Sequence, residues 1–162
     1  MTYFVKKTGL DMSVAIHPYS TISGTTFVFS TPSVLGDGIT RPSSTTFQLD
    51  SGRHYYLTGS IHVTTNSAVF IDAEFQFYNV TTSSYVGAVG SIRASGSNTY
   101  SIYRKNPMRR SEACVMITDS MITGSSVTLR LDRISVSSTS GLSHVLNTTY
   151  SEPSVVIMST PA

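Results

Sequence analysis

Residues 45–63 constrain the fold more than any other part of the chain, because their apolar and polar side chains alternate with a period of two. The stretch reads TTFQLDSGRHYYLTGSIHV. It predicts a strand over residues 45–49, a turn at Asp50-Ser51-Gly52 and a long strand over residues 53–64. A period of two indicates a strand with one packed face and one face in contact with water. The inward face of the long strand carries Tyr55, Leu57, Ile61 and Val63.

The same alternation recurs along the chain between clusters of turn residues. No 12-residue window has the apolar stripe of an amphipathic helix. A turn is expected at Gly36-Asp37-Gly38, and the first strand is expected to stop at His17-Pro18. Nine or ten strands at this spacing are typical of an antiparallel two-sheet sandwich, either a jelly roll or an immunoglobulin-like fold. The jelly roll is favoured, because the chain has no Trp and one Cys and so lacks the Cys…Trp…Cys core. Strands are predicted at residues 12–16, 26–30, 45–49, 53–64, 68–78, 85–93, 112–118, 126–136 and 154–159.

The alternation also predicts which side chains form the core. In residues 112–118 it places Ala113, Val115 and Ile117 together. Cys114 lies within the same apolar strand and is interpreted as a small buried side chain rather than a nucleophile. The predicted core consists of Tyr55, Leu57, Ile61, Val69, Ile71, Phe75, Phe77, Val127, Leu129 and Leu131.

The 162 residues are interpreted as one domain with a short N-terminal extension. Residues 1–11 carry few core signals and are expected to form an arm, and residues 12–162 form a single jelly-roll domain. Residues 94–111 are the longest predicted loop, and a loop of that length is usually functional or disordered.

Composition excludes several classes of function. Charged residues make up 12% of the chain and the net charge is +2, which does not favour nucleic acid as a partner. The single Cys cannot form an internal disulfide. The chain shows no secretory signal and no apolar run long enough for membrane insertion, so we expect it to be made in a cytoplasm. No cofactor is expected.

Two constellations could support an enzyme, and both are interpreted as surface groups. His54 and His62 lie on one face of one strand but about 26 Å apart, too far to share a metal. Asp72 and Glu74 lie about 6.6 Å apart on the strand expected beside that of His54 and His62. A carboxylate pair in a hydrolase could use this spacing. No aromatic sugar platform of Trp accompanies them. We therefore expect neither a catalytic nor a metal site.

A basic run in the predicted loop is the best candidate for a contact surface. Arg104, Lys105, Arg109 and Arg110 supply four of the eleven positive charges in the chain. Loops carry binding residues more often than strands do. An acidic partner would suit these four residues: a capsid surface, lipopolysaccharide phosphate or, less favoured by the low net charge, nucleic acid.

The order of several motifs resembles the tumour-necrosis-factor-like jelly rolls, which include the globular heads of complement-type proteins. Residues 47–63 are similar to the family's Phe-containing strand, turn and Tyr-Tyr strand. Residues 113–117 and 124–131 look like two later strands, and residues 150–158 look like the C-terminal strand. The resemblance covers about residues 12–160 and implies a homotrimer. The trimer interface would then be lined by three aromatic residues, which we expect on the polar faces of adjacent strands: Tyr56, Phe70 and Tyr78.

The resemblance also implies a class of function. Ser125 stands where the family often has Asp, and Val155 and Val156 stand where it has Phe and Gly. These departures, together with the missing signal and disulfides, favour the bacteriophage structural proteins of the family over its animal ligands.

Within that branch, the expected function is a capsid decoration (cement) protein of the virion that binds the major capsid protein or another virion protein. The chain starts at Met1 and contains only the globular unit, which favours this function. The alternative is a receptor-binding knob of a tail fibre or needle, with a host surface glycan as a further partner. A glycan-active or metal-dependent enzyme is a distant third.

Overall fold

The computed structural model describes residues 13–23, 25–29, 36–63, 70–95, 109–138 and 154–162. Strands dominate these residues, with one 3₁₀ turn at Asp119–Met121. The turn expected at Gly36-Asp37-Gly38 is present and leads into a two-residue strand. The ten described strands are β1 (Ser13–Ser23), β2 (Thr26–Phe29), β3 (Ile39–Thr40), β4 (Phe47–Asp50), β5 (Arg53–Val63), β6 (Phe70–Asn79), β7 (Ser84–Ser95), β8 (Arg109–Ile117), β9 (Ser126–Ser138) and β10 (Ser154–Pro161).

The described strands form one curled antiparallel sheet, which confirms the all-β prediction. Their order is β2-β1-β10-β5-β8-β7-β6-β9-β4-β3. An additional bridge between Thr26 and Asp132 joins β2 to β9 and brings distant parts of the order together. Because the sheet curls back on itself in this way, one face of most strands is enclosed.

The enclosed side holds a hydrophobic core, formed by the side chains that point inward at every second residue of the strands. Of the predicted core, all seven residues whose side chains are described are buried, among them Tyr55, Phe75 and Leu131. The side chains of Ile61 and Ile71, and all of Val69, lie outside the described residues. The described core also includes residues that were not on the predicted list: Phe27, Phe29, Ile39, Phe47, Leu49, Ala73, Ala113, Val115, Ile117, Ile122, Val155 and Ile157.

The prediction that the first strand stops at His17-Pro18 is wrong, since β1 continues to Ser23. Pro18 is the last residue of β1 that pairs with β10, opposite Ser154. From Tyr19 onwards β1 pairs with β2 instead. A proline lacks the N–H that a ladder needs, and it is tolerated here because the strand changes partners at that point.

Gly87 allows β7 to run between its two neighbours, β6 and β8. β7 pairs with β6 along most of its length, with a register shift between Phe75 and Phe77, and it meets β8 at a bridge between Ala88 and Cys114. Gly87, at the shift, has φ +77°. A side chain there would collide with the backbone of Cys114 and with Val115. The close approach of β7 to β8 therefore depends on a residue without a Cβ.

Candidate functional site

An exposed apolar surface lies on the outer face of three neighbouring strands, β10, β5 and β8. The register places Met158 opposite Tyr56 and Tyr56 opposite Met116, in one cross-strand row. A second row is formed by Val156, Thr58 and Cys114. Directly opposed residues of an antiparallel pair share a face, so the two rows form one surface. We call it the methionine face, and its residues are Tyr56, Thr58, Cys114, Met116, Val156 and Met158.

The methionine face carries no charged side chain. Met116 is 62% exposed and Tyr56 is 37% exposed, whereas the other four residues are half-buried. Between them in sequence, residues such as Leu57 and Val115 point into the core. Aromatic and methionine side chains are enriched in protein interfaces and charged ones are depleted from interface centres. The composition of the face therefore fits a protein contact.

A groove of about 220 Å³ opens at one end of the methionine face. Tyr56, Met116 and Met158 line one part, and His54, Tyr55 and Thr160 line the rest. The backbone N–H of Asp119 donates to His54 Nδ1 at 3.1 Å. The ring tautomer that accepts this bond has its proton on Nε2, which leaves that nitrogen as a donor.

Hydrogen bonds from Tyr55 and Gly52 fix the turns at this end of the sheet. The Tyr55 hydroxyl lies 2.9 Å from the Gly38 carbonyl oxygen and 2.8 Å from that of Asp50, and its one proton is shared between them. Burial, with a smaller contribution from the charge of Asp50, raises the pKa of Tyr55 to about 12, so the hydroxyl remains a donor. The N–H of Gly52 donates to Asp119 Oδ1 at 2.6 Å. The groove thus lies on a preorganised part of the sheet.

Cys114 lies on the methionine face and not in the core, which corrects the interpretation from sequence. Its neighbours Ala113 and Val115 are buried, so the alternation along β8 turns Cys114 outward. The pKa of Tyr56 is raised, chiefly by the charge that the nearby Cys114 carries when ionised and secondarily by burial. The register makes Tyr56 and Cys114 diagonal neighbours on β5 and β8.

The three residues predicted for a trimer interface do not lie on adjacent strands, and that part of the prediction is wrong. Tyr56 is on β5, whereas Phe70 and Tyr78 are on β6, and β8 and β7 lie between β5 and β6. Alternation within a strand cannot reveal which strands become neighbours, because pairing is a long-range property. Tyr56 belongs to the methionine face. The backbone of Phe70 opens β6, and its side chain lies outside the described residues.

Tyr78 forms part of a second aromatic surface, on the outer face of β7, β6 and β9. The register places it opposite Tyr85 on one side and Arg130 on the other. The ring centroids of Tyr78 and Tyr85 are 5.0 Å apart, and the Arg130 guanidinium lies 4.5 Å from the Tyr78 ring centroid. We call Tyr85, Tyr78 and Arg130 the tyrosine row.

The four predicted basic contact residues divide into two pairs. Arg104 and Lys105 lie outside the described residues. Arg109 and Arg110 were expected in a loop, but they are the first two residues of β8, where they pair with Val63 and His62 of β5. The strand extends this far because β5 supplies a backbone ladder that the local sequence does not reveal.

The residues weighed for an enzyme are not brought together. Asp72 and Glu74 lie on β6, which is not adjacent to the strand of His54 and His62. Glu74 accepts a hydrogen bond from the Ser135 hydroxyl at 3.0 Å. Within the described ranges, no group of three His, Cys, Asp or Glu side chains is arranged to hold a metal ion.

Sequence reasoning missed Met116, Met158, Tyr85 and Arg130. The signal for Met116 was present, because placing Ala113, Val115 and Ile117 inward leaves Cys114 and Met116 outward. The same alternation along β10 turns Met158 to the outer face, where it is half-buried. No local signal brings Tyr85 and Arg130 to Tyr78, since their contact depends on the pairing of β6 with β7 and β9.

None of the helical structure in the described part of the chain is long and apolar enough to cross a membrane. Comparison with known proteins adds no relative: the chain matches no protein-family model and no curated protein sequence.

Proposed function

We propose that the protein is a bacteriophage virion component, a capsid decoration protein that assembles as a jelly-roll homotrimer and binds the outer capsid surface. The observation that carries the proposal is the methionine face, an exposed surface without charge on β10, β5 and β8. A protein that acts by assembly needs such a surface, and a monomer would leave it in water.

The strand order supports the jelly-roll part of the proposal. It divides into two groups of five, β2-β1-β10-β5-β8 and β7-β6-β9-β4-β3. The chain passes from one group to the other between β2 and β3, β4 and β5, β5 and β6, β7 and β8, β8 and β9, and β9 and β10. Repeated crossing between two packed groups is the connectivity of Greek-key sandwiches and jelly rolls. The core draws on both groups, for example through Leu57 and Leu131.

The methionine face is the proposed contact between copies. Burying apolar area stabilises an association by roughly 25 cal/mol per Å² before the entropy of association is subtracted. Flexible Met116 and Met158 can adapt to an opposing surface, and Tyr56 supplies a more rigid anchor. Of the three interface residues expected from sequence, only Tyr56 lies on this face, so the proposed trimer contact centres on Tyr56.

A charge placed on the methionine face tests the association. Met116→Glu is expected to give a monomer at micromolar concentration, because a carboxylate would be buried at the contact. The wild type is expected at three times the 17.5 kDa chain mass by light scattering. Met121→Glu is the matched control, since Met121 is also exposed (49%) but lies in the 3₁₀ turn, off the face. A wild-type mass of one chain, or equal masses for the two variants, would contradict the proposal.

Capsid attachment is assigned to the basic residues Arg104, Lys105, Arg109 and Arg110. Arg110 and Met116 lie near opposite ends of β8, about 20 Å apart along the strand. Self-association and attachment would therefore use separate parts of the molecule. A cluster of positive charge in a chain with few charges suits an acidic partner surface.

Replacing all four basic residues with Ser is expected to weaken binding to undecorated capsids and to leave the melting temperature nearly unchanged. Surface charge changes usually move stability by about 0.5 kcal/mol or less each. Wild-type binding should fall as salt is raised, because exposed charges are screened. A Lys6→Ser, Lys7→Ser double variant removes positive charge from the predicted arm and serves as the control. Co-sedimentation with capsids measures both, and a quadruple variant that binds like the wild type at every salt concentration would refute this assignment.

A further inference from the structure

We propose that the tyrosine row is a binding site for an uncharged sugar ring, such as a terminal hexose of a neutral polysaccharide. The inference goes beyond the proposed decoration function and does not rest on it. It is carried by the geometry of Tyr85, Tyr78 and Arg130 and by the buried carboxylate beneath them.

The aromatic part of the site is exposed on one side and packed against Tyr78 on the other. Tyr85 is 47% exposed, and its ring meets Tyr78 edge to face at an interplanar angle of 72°. Tyr78 is in turn covered by the Arg130 guanidinium. A side chain packed in this way loses little freedom when a ligand binds. Tyr85 therefore offers a preorganised aromatic surface on which the apolar C–H face of a sugar can stack.

The polar part of the site is fixed by Asp132, which is only 1% exposed. Both Nε and Nη2 of Arg130 lie 2.9 Å from Asp132 Oδ2. The other carboxylate oxygen, Oδ1, accepts a hydrogen bond from the Thr26 hydroxyl at 2.9 Å. These contacts set the direction of the guanidinium, whose Nη1 group keeps both of its N–H donors on the side away from Asp132 Oδ2.

The charge balance decides which sugars fit. Asp132 offsets the positive charge of Arg130, so the site presents hydrogen-bond donors without a net positive field. A sugar hydroxyl can accept from such donors, whereas a carboxylate or sulfate ligand would also be repelled by Asp132. The site therefore favours a neutral ring over an acidic one.

The size of the row favours a sugar over a protein partner. It is a single cross-strand row. Gln76 and Thr128, two residues from Tyr78 and Arg130, are polar, and Val80 is an exposed apolar neighbour of Tyr78. A stable protein contact buries about 800 Å² on each partner. One aromatic ring beside one guanidinium matches the area of one or two sugar rings.

Affinity electrophoresis through gels that contain dextran, yeast mannan, galactomannan or polygalacturonate tests the proposal. We expect at least one of the three neutral polysaccharides to retard the wild type through Tyr85. Polygalacturonate can also bind the four basic residues, so its retardation is expected to be the same for the wild type and for Tyr85→Ala. Tyr85→Ala should weaken the retardation by the neutral polysaccharide about tenfold, through the loss of the stacking surface. Tyr85→Phe, which keeps the ring, should retain most of it.

Val89→Ala is the matched control, because Val89 is on the same strand, is also exposed (44%) and lies outside the row. Melting temperatures and light-scattering masses of all variants separate ligand binding from folding and assembly. No retardation by any neutral polysaccharide, equal effects of Tyr85→Ala and Val89→Ala, or a loss of polygalacturonate retardation in Tyr85→Ala would each overturn the proposal. So would a fall in mass for Tyr85→Ala, which would make the row a contact between copies.

Discussion

Phe75→Ala is expected to lower the free energy of unfolding by about 3–5 kcal/mol, the range for truncating a buried phenylalanine. Phe75 is completely buried on β6, its ring centroid lies 6.5 Å from that of Phe27, and it packs over Gly90 of β7. The surrounding strands are tied by their ladders and cannot collapse into the cavity. Urea unfolding followed by circular dichroism measures the change.

Val80→Ala is the control for this prediction, because Val80 follows β6 and is exposed. Its effect should stay within about 0.5 kcal/mol. All proteins must be compared at one concentration, since self-association would add to the apparent stability. A loss of less than about 1 kcal/mol for Phe75→Ala would show that β6 turns the other face to the core.

Gly87→Ala is expected to destabilise the fold by about 2–5 kcal/mol. Two effects add. Backbone strain of an alanine at φ +77° costs roughly 1–2 kcal/mol, and steric crowding of its Cβ against β8 typically costs about another 1–3 kcal/mol. Gly52→Ala isolates the first effect, because Gly52 has φ +84° but no atom lies within 4 Å of an added Cβ. The same urea titration compares the two variants. Equal losses would mean that β7 does not approach β8 as closely as the structure shows.

The period of two made much of the fold predictable from the sequence. Along β5, β6 and β9 it identified buried residues such as Leu57, Phe77 and Leu129, and the all-β class followed from the repetition of the pattern. Where local signals conflicted with pairing, the prediction failed. The local sequence predicts a strand end at His17-Pro18 and a loop at Arg109 and Arg110. All four residues lie in strands, because their pairing depends on strands that are distant in sequence.

The candidate surfaces were less predictable than the core, for the same reason. Tyr56 and Tyr78 look equivalent in sequence, each being an aromatic residue on the polar side of a strand. The strand order separates them and gives each a different set of neighbours, Met116 and Met158 for one and Tyr85 and Arg130 for the other. A surface composed of side chains from three strands has no signature within any one of them.

The position of β10 has a consequence for how the chain acquires its structure during synthesis. This strand lies between β1 and β5, and its register pairs Ser159 with Ser13 on one side and with Tyr55 on the other. Until the last strand has left the ribosome, β1 and β5 cannot be bridged, and both expose backbone donors and acceptors that can pair with other chains. Such distant pairing also slows folding. Chains cut short before residue 154 should therefore accumulate as aggregates rather than as a smaller folded unit.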